Sequence, residues 1–132
     1  MRTFIRAAFT TALVVAMSAP AYPQERGYWL PDRAVVANIE HDIAQLPLRT
    51  KGSWRAAALE TYARYYTGIT LEGRKVVYGV FLSMDPQSYP PSVHIVQWSD
   101  QPEMTGGGCT QLNLWYDVGT AKITEFHCYG LG

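Results

Sequence analysis

The run from Tyr62 to Met84 constrains the fold more than any other part of the chain. It is rich in aromatic and β-branched residues, and its interruption is Leu71-Glu72-Gly73-Arg74. β-branched and ring side chains fit a pleated surface, and a glycine-bearing break between two such runs reads as a hairpin turn. The run therefore predicts two antiparallel strands, Tyr62 to Thr70 and Lys75 to Met84, with Ile69 near Val76 and Tyr65 near Val80.

Upstream, Val35, Val36, Ile39, Ile43 and Leu46 recur at helical spacing, with Asp32 placed as an N-cap. Pro47 ends the pattern, because the residue before a proline is pushed out of the helical region. An amphipathic helix is expected over residues 32–46. Leu48 to Gly52 is basic and loop-like. Ser53 to Thr61 supports either strand or a short second helix, since Ala56, Ala57, Ala58 and Leu59 favour helix and Ser53 is a capping residue. Asp85 to Ser92 holds three prolines and is a loop. Val93 to Trp98 reads as a short strand, and Ser99 to Gly108 as a second loop whose triple glycine should be the most mobile part.

Leu112 to Tyr116 and Ala121 to Phe126 read as a closing hairpin around Asp117-Val118-Gly119-Thr120. Pairing Asp117 with Thr120 sets Leu114 opposite Ile123, Tyr116 opposite Ala121, and Cys109 opposite Cys128. A four-residue loop puts the cysteines at a non-hydrogen-bonded pair, whereas a Gly-bulge turn leaves them diagonal neighbours. Cys109 and Cys128 are the only thiols of the chain. A disulfide between them is expected, closing a loop of roughly 20 residues worth about 3 kcal/mol. Its expected role is a structural staple.

The first residues carry an export pattern. Arg2 and Arg6 precede an uncharged run from Ala7 to Met17, and Ala19 and Ala21 place small residues for a signal peptidase. The expected organisation is a cleaved signal over 1–21, a loose leader over 22–30, and one domain over 31–132. The full chain has 11 basic and 11 acidic residues; cutting after Ala21 leaves 111 residues with 9 basic and 11 acidic. That balance argues against a nucleic-acid partner. No later stretch is long and apolar enough to span a bilayer. The expected location is periplasmic or secreted, an oxidising setting that suits a disulfide.

Three runs look familiar together: Tyr62-Ala-Arg-Tyr-Tyr66, Gly73-Arg-Lys-Val-Val-Tyr-Gly79, and Gly107-Gly-Cys109 with Tyr116-Asp117 and Cys128-Tyr-Gly130. They resemble small exported bacterial proteins of unknown function from about Pro31 to the C-terminus. The resemblance implies turns, strands and a cysteine pair and carries over no catalytic residue. The order of elements predicts an α+β fold with one helix, or two, packed on a curved antiparallel sheet of about five strands. In outline it resembles cystatin-like and ketosteroid-isomerase-like architectures, which host many functions.

Candidate chemistry is sparse. His94, Glu125, His127 and the cysteines invite a metal reading, but the disulfide removes both thiolates and no close-spaced ligand pair exists, so no metal is expected. Glu40, His41 and Asp42 are adjacent on the helix and diverge by about 100° per residue, so they do not converge on one substrate position. No G-x-S-x-G, H-E-x-x-H, P-loop or dinucleotide fingerprint is present, and no cofactor is expected. Four tryptophans and nine tyrosines are many for a domain this small. On the closing hairpin Trp115 shares a face with Gln111, Asn113, Lys122 and Thr124, suited to a sugar or a protein partner. The favoured reading is a non-catalytic binding module using that face and the loops 85–92 and 99–108, with an inhibitor of an envelope enzyme as one form. An enzyme with a pocket between helix and sheet, using His94 or His127, and a structural envelope protein are the alternatives.

Overall fold

The computed structural model describes residues 27–46, 56–103 and 108–129. In chain order these are β1 (Gly27–Trp29), α1 (Arg33–Gln45), a 3-10 turn (Ala56–Thr61), β2 (Ala63–Leu71), β3 (Arg74–Leu82), β4 (Val93–Ile95), a second 3-10 turn (Trp98–Asp100), β5 (Gly108–Asp117) and β6 (Lys122–Tyr129). One helix followed by an antiparallel sheet makes the fold α+β. The export segment, residues 22–26 of the leader, the basic stretch Leu48 to Gly52 and glycines 106 and 107 lie outside the described residues.

The central hairpin forms as the sequence predicts. β2 and β3 pair with Ile69 opposite Val76 and Tyr65 opposite Val80, around a turn in which Glu72 and Gly73 both have positive φ. Helix α1 buries Val36, Ile39 and Ile43 and lays them on Tyr66, Phe81, Leu112, Leu114 and Tyr116. Leu46 adopts extended backbone just before Pro47, which ends the helix where the proline requires. Asp32 caps through its carbonyl, which accepts the Val36 N–H at 3.1 Å; its side chain makes no cap bond. Of the ambiguous Ser53–Thr61 stretch, the described part is 3-10 helix, not strand.

Two elements depart from expectation. Gly27–Trp29, expected within a loose leader, pairs antiparallel with Thr70, Ile69 and Gly68. Three residues are too few to show a period, so the sequence carries no signal for this strand. β4 is also not a member of an antiparallel meander. It runs parallel to β2, with Arg64, Tyr65 and Tyr66 opposite Val93, His94 and Ile95. β1 and β4 thus share one edge of β2, end to end, while β3, β5 and β6 extend the sheet from its other edge.

The closing hairpin forms in a different register from the expected one. Leu114 pairs with Phe126 and Tyr116 with Ile123, and the loop runs from Val118 to Ala121. Asp117 accepts the Thr120 N–H at 2.9 Å and Ala121 takes positive φ, which closes a four-residue loop. Thr124 is the extra residue of a bulge on β6, and β5 advances from Gly108 to Leu112 while β6 takes the single step from Cys128 to Tyr129. These irregularities bring Cys109 to Cys128 after all, with Cα atoms 4.6 Å apart in a disulfide.

Trp29 lies directly on the backbone of Gly68, where an added Cβ would sit 2.2 Å from the ring. Only glycine permits that approach. Gly68→Ala is expected to cost about 1–3 kcal/mol in urea unfolding, because the ring must move. In a Trp29→Ala background the same substitution should cost little, and equal costs in both backgrounds would show that the ring contact is not the cause.

Candidate functional site

The sheet presents two faces. On the face under α1, Arg64 and Tyr66 from β2 converge on one carboxylate oxygen of Glu40. The Arg64 Nε–Oε2 distance is 2.7 Å and the Tyr66 hydroxyl donates to the same oxygen at 2.6 Å. Arg64 also donates to the Leu59 and Tyr62 carbonyls, each at 3.0 Å. Tyr66 is fully buried, and burial, then the neighbouring Glu40 charge, pushes its phenol well above the ordinary tyrosine range. The proton between them therefore stays on Tyr66. This cluster ties helix α1 to a buried strand.

His41, adjacent to Glu40, is exposed, and Asp42 is half-buried. Neither hydrogen-bonds into the Glu40 cluster. His94 stacks on Tyr65 with ring centroids 4.6 Å apart. Its Nε2 lies 2.9 Å from the Pro90 carbonyl oxygen and 3.0 Å from Ser92 Oγ. A carbonyl only accepts, so Nε2 carries the hydrogen and cannot serve Ser92 as a base. Glu125 and His127 are exposed on β6. Among the described residues no group of three His, Cys, Asp or Glu side chains is placed to hold a metal ion.

The opposite face carries a row of rings. Tyr28 stacks on Trp98 at 5.0 Å with planes 6° apart, Trp98 meets Tyr78 at 5.7 Å, and Tyr78 meets Trp115 at 4.7 Å. The row crosses the sheet from β1 to β5. Its β1 end is open: Tyr28 is 47% exposed, Leu30 53% and Trp98 37%. A cleft of about 370 Å³ there is lined by Tyr28, Trp29, Leu30, Gln97, Trp98 and Ser99.

The residues proposed from sequence fall along the other end of this row. Trp115 is half-buried, and Gln111 and Asn113 are buried beside it. Gln111 donates to Asn113 Oδ1 at 3.3 Å, and Asn113 donates to the Tyr78 hydroxyl at 2.6 Å. Their amides serve the interior. Lys122 is exposed opposite Asp117, and Thr124, in the bulge, donates to the Trp115 carbonyl at 3.3 Å. Of the loops proposed with this face, 99–108 begins beside the row, with Ser99 lining the cleft. Tyr89 of the 85–92 loop contacts Tyr65 edge-on at 6.4 Å. Sequence reasoning did not find Tyr28, Leu30 or Trp98, because strand pairing and a loop crossing bring them together across about 70 residues.

No protein-family model matches the chain, and neither curated proteins nor solved structures give a significant match.

Replacing Glu40 by Leu leaves the Arg64 guanidinium without its countercharge and should cost on the order of 3 kcal/mol in urea unfolding. Pairing it with Arg64→Met should recover most of that loss. Tyr66 adds a pH dependence. Its phenol keeps its proton in the folded chain longer than in the unfolded one, so stability should fall as pH rises past about 10. Tyr66→Phe should flatten that alkaline decline; an unchanged slope would place its origin elsewhere.

Proposed function

We propose that this chain is an exported, non-catalytic interaction module that takes a protein partner on the cleft formed by Tyr28, Leu30 and Trp98. The observation that carries the reading is the exposure of these three large apolar side chains around one concavity. Tyrosine and tryptophan dominate protein-binding energetics because they offer large rigid contact areas with few rotatable bonds. Behind the cleft, Tyr78 braces Trp98 and is itself backed by Trp115, so the anchor is held before the partner arrives. The Cys109–Cys128 bond and the N-terminal basic, apolar and small-residue pattern support an oxidising compartment, the periplasm or the exterior. No helix among the described residues is long and apolar enough to cross a membrane. Inhibition of an envelope enzyme is one concrete form of such a module.

A photo-crosslinking residue placed at Leu30 in cells tests the proposal. One discrete protein adduct is expected, reduced about tenfold by Trp98→Ala, which is the scale of a moderate hot-spot residue. Tryptophan fluorescence should not respond to soluble cell-wall oligosaccharides. A saturable response to those sugars, or an adduct insensitive to Trp98→Ala, would replace a protein partner with a glycan or remove the cleft from the account.

A further inference from the structure

A second feature on the same edge of the sheet has a different chemistry. β4 pairs with β2 on one side only, and its inward bonds use alternate residues. Ser92 accepts from the Arg64 N–H at 2.9 Å, and Val96 donates to the Tyr66 carbonyl at 3.0 Å. Parallel pairing then turns the backbone N–H and C=O groups of Val93 and Ile95 outward. Among the described residues, nothing bonds them. The side chains of Val93 and Ile95 share the face of Arg64 and Tyr66, toward α1. With Val36 and Ala37 they wall a groove of about 540 Å³ whose charged members are Arg33 and Glu40.

The charges are not equivalent. Glu40 already holds Arg64 and Tyr66, whereas Arg33 is exposed and makes no ion pair among the described residues. The free electrostatic demand of the groove is therefore for an anion. Arg33 and Glu40 lie seven residues apart on one helix, about 10 Å along its axis, which three residues of extended chain would span.

Among the described residues, the other sheet edge is defended and this one is not. β6 carries exposed Lys122, Glu125 and His127 and is broken by the Thr124 bulge, all features that discourage strand addition. β4 presents Val93, 40% exposed, with no charge on its groove side.

We propose that the outer edge of β4 and the groove beside α1 form a slot for an extended peptide segment, added as a parallel or antiparallel strand, with alternate apolar side chains in the groove and an acidic residue or C-terminal carboxylate on Arg33. Main-chain bonds to Val93 and Ile95 supply register, and the apolar walls and Arg33 supply selectivity. The slot is separate from the Tyr28–Trp98 cleft and stands without it.

The test pans a random heptapeptide display library against the full mature chain and titrates the enriched peptide by fluorescence anisotropy. The expected peptide alternates apolar residues and bears an acidic group at one end. Val93→Pro removes an outward N–H while sparing the inward ladder, and Arg33→Glu inverts the free charge on an exposed helix position. Each should weaken the peptide about tenfold or more, a loss of one good polar contact. Amidating the acidic group should weaken it in the wild type and not in Arg33→Glu. The proposal fails if no peptide enriches, if the enriched peptide binds Arg33→Glu as well as wild type, or if it shows helical spacing. It fails also if ultracentrifugation reveals a dimer that Val93→Pro dissolves, which would give the edge to a second copy of this chain.

Discussion

The need to close both edges of β2 governs the arrangement. Residues 62–69, which include most of β2, are buried except for half-exposed Tyr65, so the strand's backbone polar groups have no water to bond. An unpaired buried amide costs free energy comparable to a lost hydrogen bond, so each edge must find a partner. β3 satisfies one edge along its full length. The other is divided between β1 and β4, each of three residues, entering from distant parts of the chain and in opposite directions. That division sets the Tyr28 and Trp98 rings against each other on one face and leaves Val93 and Ile95 beside α1 on the other.

The helix is tied to the same strand. Apolar packing alone would let α1 slide or rotate over a surface of Phe81, Leu112 and Leu114, since burial is not directional. Glu40 removes that freedom, because its Oε2 must meet both Arg64 and Tyr66. A buried ion pair contributes little net stability against an apolar replacement of the same shape. Its effect here is positional: α1 is fixed relative to β2, and the groove between α1 and β4 inherits a defined width.

Local pattern made the β2–β3 hairpin and α1 legible, including the strand register, because both depend on neighbours in sequence and on a turn whose residues announce it. The Cys109–Cys128 pair was legible in part for the wrong reason. A uniform register through the turn points to the correct partner, yet the chain takes a longer loop and then compensates with irregularities on both strands. Bulges respond to twist and to side-chain packing across the sheet, neither of which a single hairpin sequence displays. β1 was hidden because three residues show no period, whereas β4 was legible as a short strand from Val93 and only its partner was not, since parallel pairing leaves no turn to mark it. Trp115 was singled out through its alternation with Gln111 and Asn113, but alternation identifies a face without saying what covers it. Tyr78 lies against Trp115 and accepts from Asn113, and the row of rings runs on through Trp98 to Tyr28.

The shortness of β4 bears on how selective its edge can be. Short edge strands are one of the ways proteins avoid indiscriminate pairing, since few backbone bonds are on offer. Val93 and Ile95 present four outward groups, and at about 1 kcal/mol net for each hydrogen bond these would not overcome the entropy of ordering a peptide. Any strand that settles there must draw the remainder from the groove walls and from Arg33. Sequence-blind association is thereby discouraged by the same geometry that admits a fitting segment. A long open edge would bind many strands; one this short would hold only those whose side chains suit the slot.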